Sequence, residues 1–104
     1  MPMFVLTYRS RPGYTPTPQT QAAWHAWFGS MGDQLADMGK PVIAEAALGN
    51  CSRESTELGG YSLIQADDLE AATAIAKGCP HLEHSGGVEI GLLGEIPGTG
   101  PAAG

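Results

Sequence analysis

Residues 59–93 decide the fold of this 104-residue chain: GGYSLIQADDLEAATAIAKGCPHLEHSGGVEIGLL. The segment 60–66 (GYSLIQA) has the β-branched and aromatic content of a strand between turn residues. Asp67 predicts a helix N-cap, because Glu three residues later completes a capping box, and Gly78 predicts the helix end. After a Cys-Pro-His turn and a second glycine pair, residues 88–93 (VEIGLL) predict another strand. The stretch is therefore expected to fold as strand, helix and strand.

The first half of the chain predicts the same kinds of element. Residues 3–8 (MFVLTY) read as a strand. Thr17 followed by Pro18 predicts a helix start, and apolar residues at steps of three and four extend that helix to Met38. Gly39 would then end it in the left-handed conformation. Residues 41–48 (PVIAEAAL) predict a second strand, although their alanines weaken the prediction.

The predicted order β-α-β-β-α-β indicates an α+β, ferredoxin-like fold. Right-handed crossovers place both helices on one face of a four-stranded antiparallel sheet. We expect one domain over residues 1–95 and a flexible Gly/Pro/Ala-rich C-terminal tail over 96–104.

Both faces of the first predicted strand are largely apolar, while the predicted helices can cover only one face of the sheet. Phe4 and Leu6 share one side of that strand with Tyr8, and Met3 and Val5 lie on the other. A second copy of the chain is expected to pack on the uncovered face, which predicts a homodimer.

Composition excludes several classes of function. The formal net charge is −6, and the five Lys and Arg residues are scattered. Neither a nucleic acid nor an anionic membrane is therefore an expected partner. We recognise no signal peptide and no stretch of membrane-spanning length. Two cysteines without an export signal indicate reduced thiols and a cytoplasmic protein.

The Trp- and Phe-rich first helix, the GGYSLIQADDLEAATAIA block and the CPHLEHSGGVEI end resemble the YCII-related family, relatives of the DGPF-domain proteins. The resemblance covers residues 3 to about 95 and implies a ferredoxin-like fold that pairs as a dimeric α+β barrel. The DGPF tetrapeptide itself is absent. Short members of the family are proposed to pair a histidine on the first helix with an aspartate in an Asp-Pro step after the second. Here that step is Cys79-Pro80, so the acid is missing.

Two histidines are the candidate catalytic residues. His81 follows the Cys-Pro turn and would replace the family histidine as a displaced imidazole. Since it follows a helix C-terminus, its pKa is expected to be raised. His25 lies on the first helix. The alternatives are a turn histidine bonded to backbone for His81 and a half-buried space-filling residue for His25.

Four further residues are candidate ligand-binding positions. Tyr8 and Arg9 end the first strand, where a hydroxyl and a guanidinium would orient a carboxylate or phenolate. Glu45 would partner a histidine if it faces inward. Cys79 is either a nucleophile activated by an imidazole or an ordinary core thiol. The spacing of Cys79, His81, Glu83 and His84 fits no familiar zinc pattern, so we expect neither a metal nor a cofactor.

Three functions remain open from the sequence. The first is a small cofactor-free enzyme that moves a proton on an aromatic or lactone-like metabolite, with His81 or His25 as acid or base. The second is a non-catalytic dimeric module that binds a small ligand or has a regulatory role. The third is a ligandless scaffold. An enzyme needs an imidazole in a cavity with a second polar group in reach, whereas a module needs only the groove.

Overall fold

The computed structural model describes residues 1–52 and 55–96, which form one antiparallel sheet with two helices. The elements are β1 (Met3–Ser10), α1 (Pro18–Met31), β2 (Leu35–Asp37), β3 (Glu57–Gln65), α2 (Leu69–Ala76) and β4 (Gly87–Leu92). The strands lie in the order β2-β3-β1-β4, which is the ferredoxin-like arrangement predicted from the sequence. Most of the predicted tail, residues 97–104, lies outside the described residues.

One face of the sheet forms the core. Phe4 and Leu6 of β1 are fully buried, as is Ile64 of β3. Alternate residues of β1 on the other face, such as Val5, are only half-buried. The alternation predicted from residues 3–8 is therefore confirmed, and the two faces differ in burial because successive side chains of a strand point to opposite sides.

Trp27 joins the two helices across the core. Its indole Nε1–H donates a hydrogen bond to the Ile75 carbonyl oxygen at 3.2 Å. A Cβ added at Gly78 would lie 2.8 Å from the indole ring, so the absence of a side chain there lets the ring approach α2 closely. Ala72 and Ala76 are fully buried, which leaves α2 a small-residue face towards the core.

The first helix starts as predicted but ends earlier. Thr17 is the N-cap, and it exchanges hydrogen bonds with Thr20 in a capping box. The predicted continuation to Met38 is wrong, because Gly32 adopts a φ of +57° that ends the helix after Met31. Residues Gly32–Gln34 form a short 3-10 helix, and Leu35 begins β2. Leu35 and Ala36 beyond Gly32 thus belong to β2, and Met38 follows that strand.

The predicted strand over residues 41–48 is also wrong. Pro41 forms one isolated bridge with Gly60, and residues 42–52 have no helix or strand. Alanines and a glutamate give this segment little apolar surface to bury on a pleated sheet. The edge position is taken by Leu35–Asp37. Gly39 does adopt a left-handed conformation, with φ +74°, but it follows this strand instead of closing a helix.

The cap of α2 lies one residue later than predicted. Asp68, not Asp67, is the N-cap, and its Oδ1 accepts from the Ala71 N–H at 2.8 Å. The third helical residue is therefore Ala71, and Glu70 cannot complete the capping box expected from the sequence.

Candidate active site

A cavity of about 580 Å³ lies between α1, the segment that follows β2, and the adjoining ends of β1 and β3. Aromatic rings from β1, from α1 and from the loop between them form much of its wall, and apolar surface exceeds polar surface in the lining. Such a wall suits a flat organic ligand, which is oriented by a small number of polar contacts. The lining includes the aromatic residues Tyr8, Tyr14, Trp24 and Phe28.

A tight turn places one of these rings. Arg11 to Tyr14 (RPGY) form a β-turn, in which the Tyr14 N–H donates to the Arg11 carbonyl oxygen at 3.1 Å. Pro12 occupies the second position, and Gly13 the third with φ +77°, the requirement of a type II turn. The turn brings the Tyr14 ring to 4.8 Å from the His81 ring, edge to face at 81°.

His81 is the buried polar residue of the cavity wall, with 5% of its surface exposed. It lies in the 3-10 helix Pro80–Glu83 that follows α2. Its carbonyl oxygen accepts from the Gly86 N–H at 2.9 Å, which fixes the backbone of the turn. The Trp24 ring packs edge-on against the imidazole at 4.9 Å and 89°. The imidazole orientation is thus set by backbone on one side and by aromatic rings on the other.

Ser10 provides a second polar group in reach of this imidazole. Ser10 Oγ and His81 Nε2 share a hydrogen bond of 2.9 Å. Ser10 owes its place to a β-bulge, because the β1–β3 register shifts after Tyr8 and leaves Gly59 without a partner. A Cβ at Gly59 would collide with Ser10 Oγ, so the glycine makes room for the hydroxyl.

The environment of His81 lowers its pKa from the usual 6.5, chiefly because burial disfavours the imidazolium and secondarily because His84 lies nearby. The predicted rise of this pKa is therefore wrong. The helix dipole was expected to favour the charged ring, but α2 ends at Ala76 and the dipole effect fades within a turn. A neutral imidazole at pH 7 can accept a proton, as a general base must.

Tyr8 belongs to the same wall but its hydroxyl points elsewhere. It donates to Ser62 Oγ at 2.7 Å, and Ser62 Oγ donates in turn to the Met38 carbonyl oxygen at 2.7 Å. Burial raises the Tyr8 pKa well above its usual value. Tyr8 thus lines the cavity, but its hydroxyl donates into a buried chain of hydrogen bonds, and its role in ligand binding stays a prediction.

His25 lies on the rim of the same cavity and is exposed to solvent. The structure therefore brings both predicted histidines to one cavity, in different settings. His81 is held within the wall, whereas His25 stands at the opening on α1.

Arg9 and Glu45 are not brought to His81. The Arg9 guanidinium donates to Thr56 Oγ1 at 3.3 Å and to the Ser52 carbonyl oxygen at 3.4 Å. Glu45 accepts from the Leu58 N–H at 2.9 Å. Both line a separate depression outside the His81 cavity, where Arg9 links β1 to Ser52 and Thr56, and Glu45 is bonded to the start of β3.

Cys79 lies in the core with 2% of its surface exposed, beneath the cavity and outside its lining. Burial raises its pKa to about 11, although the backbone N–H groups of His81 and Leu82 partly offset this rise. The thiol therefore stays protonated at pH 7, which suits a core residue better than a nucleophile. Cys51 is exposed, and both cysteines are free.

Sequence reasoning did not identify several residues of the cavity, among them Ser10, Tyr14 and Glu57. Ser10 and Glu57 are partners across β1 and β3, and Glu57 contributes a carboxylate to the lining. Of these three, only Tyr14 could have been found from the sequence, because Pro-Gly in RPGY is a recognisable turn signature and the turn fixes the position of the residue that follows.

Within residues 1–52 and 55–96, no three His, Cys, Asp or Glu side chains form a group that could hold a metal ion. Over the same residues, no helix is both long and apolar enough to cross a bilayer.

Comparison with known proteins supports the fold. No protein-family model matches the chain, and no curated protein matches it by sequence. Among solved structures, it is similar to 5-chloro-2-hydroxyhydroquinone dehydrochlorinase from Burkholderia phenoliruptrix in complex with 2,5-dihydroxybenzoquinone. The TM-score is 0.54 at 15% identity, over 84% of this chain and 90% of the other. This likeness confirms the ferredoxin-like α+β fold, and membership of the YCII-related family remains a prediction.

Proposed function

We propose that the protein is a small enzyme that moves a proton on an aromatic or quinone-like metabolite, with His81 as its general base. The observation that carries the proposal is the His81–Ser10 pair. A nearly buried imidazole lines an aromatic cavity and has its Nε2 2.9 Å from a hydroxyl. An enzyme of this type needs an imidazole in a cavity with a second polar group in reach, and the pair meets that requirement.

The chemistry follows from the lowered pKa of His81. Because the ring is neutral near pH 7, Nε2 can accept a hydrogen bond from the Ser10 hydroxyl. We propose that Ser10 takes a proton from the bound substrate as it passes its own to Nε2. The resulting imidazolium then returns a proton to another atom of the substrate, so that the net reaction is a tautomerisation or prepares an elimination.

The structural neighbour supports this choice of substrate. That enzyme is named for removing chlorine from a hydroxylated hydroquinone, and it was crystallised with a dihydroxybenzoquinone. Fold likeness at 15% identity does not transfer a reaction. The aromatic wall of Tyr14, Trp24 and Phe28 independently suits a flat ring.

Hydrogen–deuterium exchange on candidate substrates tests the proposal. The protein would be incubated in D₂O with 2,5-dihydroxybenzoquinone, hydroxylated benzoates and unsaturated lactones, and loss of the C–H signals would be followed by proton NMR. We expect faster exchange of at least one compound, reduced about 100-fold or more by His81→Gln and changed less than about threefold by His25→Gln. Absence of acceleration throughout the panel, or full activity in His81→Gln, would contradict the proposal.

A non-catalytic binding module is the second candidate, and one observation favours it. Among the described residues, no carboxylate is hydrogen-bonded to the His81 ring, and the position of the family acid holds the protonated thiol of Cys79. This function predicts that an aromatic compound binds to His81→Gln as tightly as to the wild type and that neither protein exchanges its protons.

We also propose that the chain acts as a homodimer through the half-buried sheet face. Val5 lies opposite Leu63 there, and Tyr61 on the same face is 38% exposed. A second sheet would remove these apolar groups from water. Size-exclusion chromatography with light scattering should give a dimer that Val5→Glu converts to a folded monomer. A wild-type monomer at micromolar concentration would refute it.

A further inference from the structure

The charges around the cavity have the opposite balance to the charges of the whole chain. The protein has eleven acidic and five basic residues. Yet the lining includes two cations, Arg11 and Lys40, and one carboxylate, Glu57. In an acidic protein, such a local excess of positive charge attracts anions from solution and has little effect on neutral molecules.

These two cations have no partner among residues 1–52 and 55–96. Neither side chain makes a hydrogen bond or an ion pair there, and both are exposed. Arg9, only two residues before Arg11, shows the contrast, since its guanidinium makes three hydrogen bonds to Ser52 and Thr56. Arg9, outside the cavity, is therefore held by hydrogen bonds, whereas the guanidinium of Arg11, at the cavity opening, remains available to a ligand.

The backbone that carries both cations is anchored. Arg11 opens the β-turn that also places the Tyr14 ring against His81. The Lys40 carbonyl oxygen accepts from the Tyr61 N–H at 3.3 Å, and the preceding Gly39 packs so closely on the Tyr61 backbone that any side chain would collide with it. Because the backbone at Arg11 and Lys40 is already ordered, their long side chains can reach a ligand with little further loss of backbone entropy.

We infer that the substrate is an aromatic anion whose carboxylate or phenolate is bound at the rim by Arg11 and Lys40. This inference rests on the proposed function, because it names the substrate class of the same cavity. The aromatic wall holds the ring, and the charged group lies towards solvent between the two cations. One end of the molecule is thereby fixed at the rim, and its other end is presented to Ser10 and His81.

A matched pair of probes separates charge from shape. 2,5-Dihydroxybenzoate and 2,5-dihydroxybenzamide share a ring and differ in the charge of one substituent. Their dissociation constants would be measured by NMR titration for the wild type, Arg11→Gln, Lys40→Gln and the double variant. Lys77→Gln is the control, because it removes the same charge from the exposed end of α2, away from the cavity.

We expect the wild type to bind the benzoate about tenfold more tightly than the benzamide. Each single variant should weaken the benzoate about threefold to tenfold and leave the benzamide within about twofold, while Lys77→Gln changes neither. Added salt should weaken only the benzoate. Equal affinities for the two probes, an equal loss in Lys77→Gln, or no binding of either probe at millimolar concentrations would overturn the inference.

The titration can fail independently of the proposed reaction. Because it needs no turnover, it can be repeated in the His81→Gln background, where the benzoate preference should persist. A preserved preference without any proton exchange would refute the proposed enzyme and leave the anion site standing. Proton exchange on neutral compounds without a preference for the benzoate would refute the anion site and leave the proposed enzyme standing.

Discussion

The inner wall and the rim of the cavity place the same kind of residue in opposite settings. His81 on the wall is 5% exposed and is bordered by Tyr14 and Trp24, whereas His25 on the rim is exposed. Both lie on the same cavity, so the difference between them is one of environment. Burial lowers the pKa of His81 and fixes its ring, which suits proton transfer. The rim residues stay free to contact a ligand as it enters.

The wall depends on the core behind it, so the largest effect is expected there. Trp27 is 8% exposed and hydrogen-bonded to α2. Trp27→Ala should lower the free energy of unfolding by about 3–5 kcal/mol, because it leaves a cavity in the core. Urea denaturation measures this loss. The control is Ile43→Ala on the rim, where the side chain is 95% exposed and a change within about 0.5 kcal/mol is expected. Similar losses in the two variants would erase the distinction between wall and rim.

The two cysteines extend the contrast between buried and exposed groups to a second residue type. Since the pKa of Cys79 is about 11, its thiolate fraction at pH 8 is about 100 times smaller than that of a thiol with the ordinary value near 9. A chromogenic disulfide reagent should therefore label one thiol quickly, and Cys51→Ser should abolish that fast phase. Fast labelling that survives in Cys51→Ser would show that Cys79 is accessible.

Ser10 tests whether the hydrogen bond on the wall serves the reaction or only the fold. Ser10→Ala should reduce the proton-exchange rate about tenfold or more, and it should add little to the loss in His81→Gln, because the two groups act as one relay. Thr56→Ala is a control for hydroxyl removal outside the cavity, since the Thr56 hydroxyl lies in the separate depression and accepts a hydrogen bond from Arg9. Independent, multiplicative losses in the double variant would mean that Ser10 and His81 act separately.

The smallest effect is the contribution of His81 to the pH dependence of stability. Its folded pKa lies below the unfolded value near 6.5, so the unfolded chain binds the proton more tightly. The contribution of His81 to the free energy of unfolding is therefore fully present above pH 6.5, and it is lost as the pH falls from there to the lowered pKa. Urea denaturation at pH 7.5 and pH 5 should show a smaller loss for His81→Gln than for the wild type. A larger loss in His81→Gln would reverse the sign assigned to the shift.

Much of the fold could be predicted because its signals are local. The strands β1, β3 and β4 and the helix α2 have apolar patterns bounded by Gly, Pro or Asp, and their predicted positions lie within a few residues of those observed. The end of α1 and the place of β2 could not be predicted. Periodicity alone continues through Gly32, and only the observed φ of +57° shows that the helix stops. The edge strand is three residues long, too short for an alternating pattern to identify.

The candidate site was predicted in part for the same reason. His81 stood out because a Cys-Pro-His turn after a helix is readable in the sequence. Its partner Ser10 did not, since the hydroxyl reaches the ring through a bulge opposite Gly59 and across 71 positions of the chain. Sequence reasoning offered Glu45 as the partner instead, but that carboxylate accepts from the Leu58 N–H on another part of the surface.

The most direct test of the central claim is to observe the imidazole of His81 while a ligand binds. The three histidines would be labelled with ¹⁵N, and their ring nitrogens followed by NMR as 2,5-dihydroxybenzoquinone is added. We expect free His81 to be neutral at pH 7, with Nε2 in a hydrogen bond, and we expect its signals to shift strongly on binding while those of His84 move little. A ligand that binds without moving the His81 signals, or a His81 ring already charged at pH 7, would contradict the role of His81 as general base.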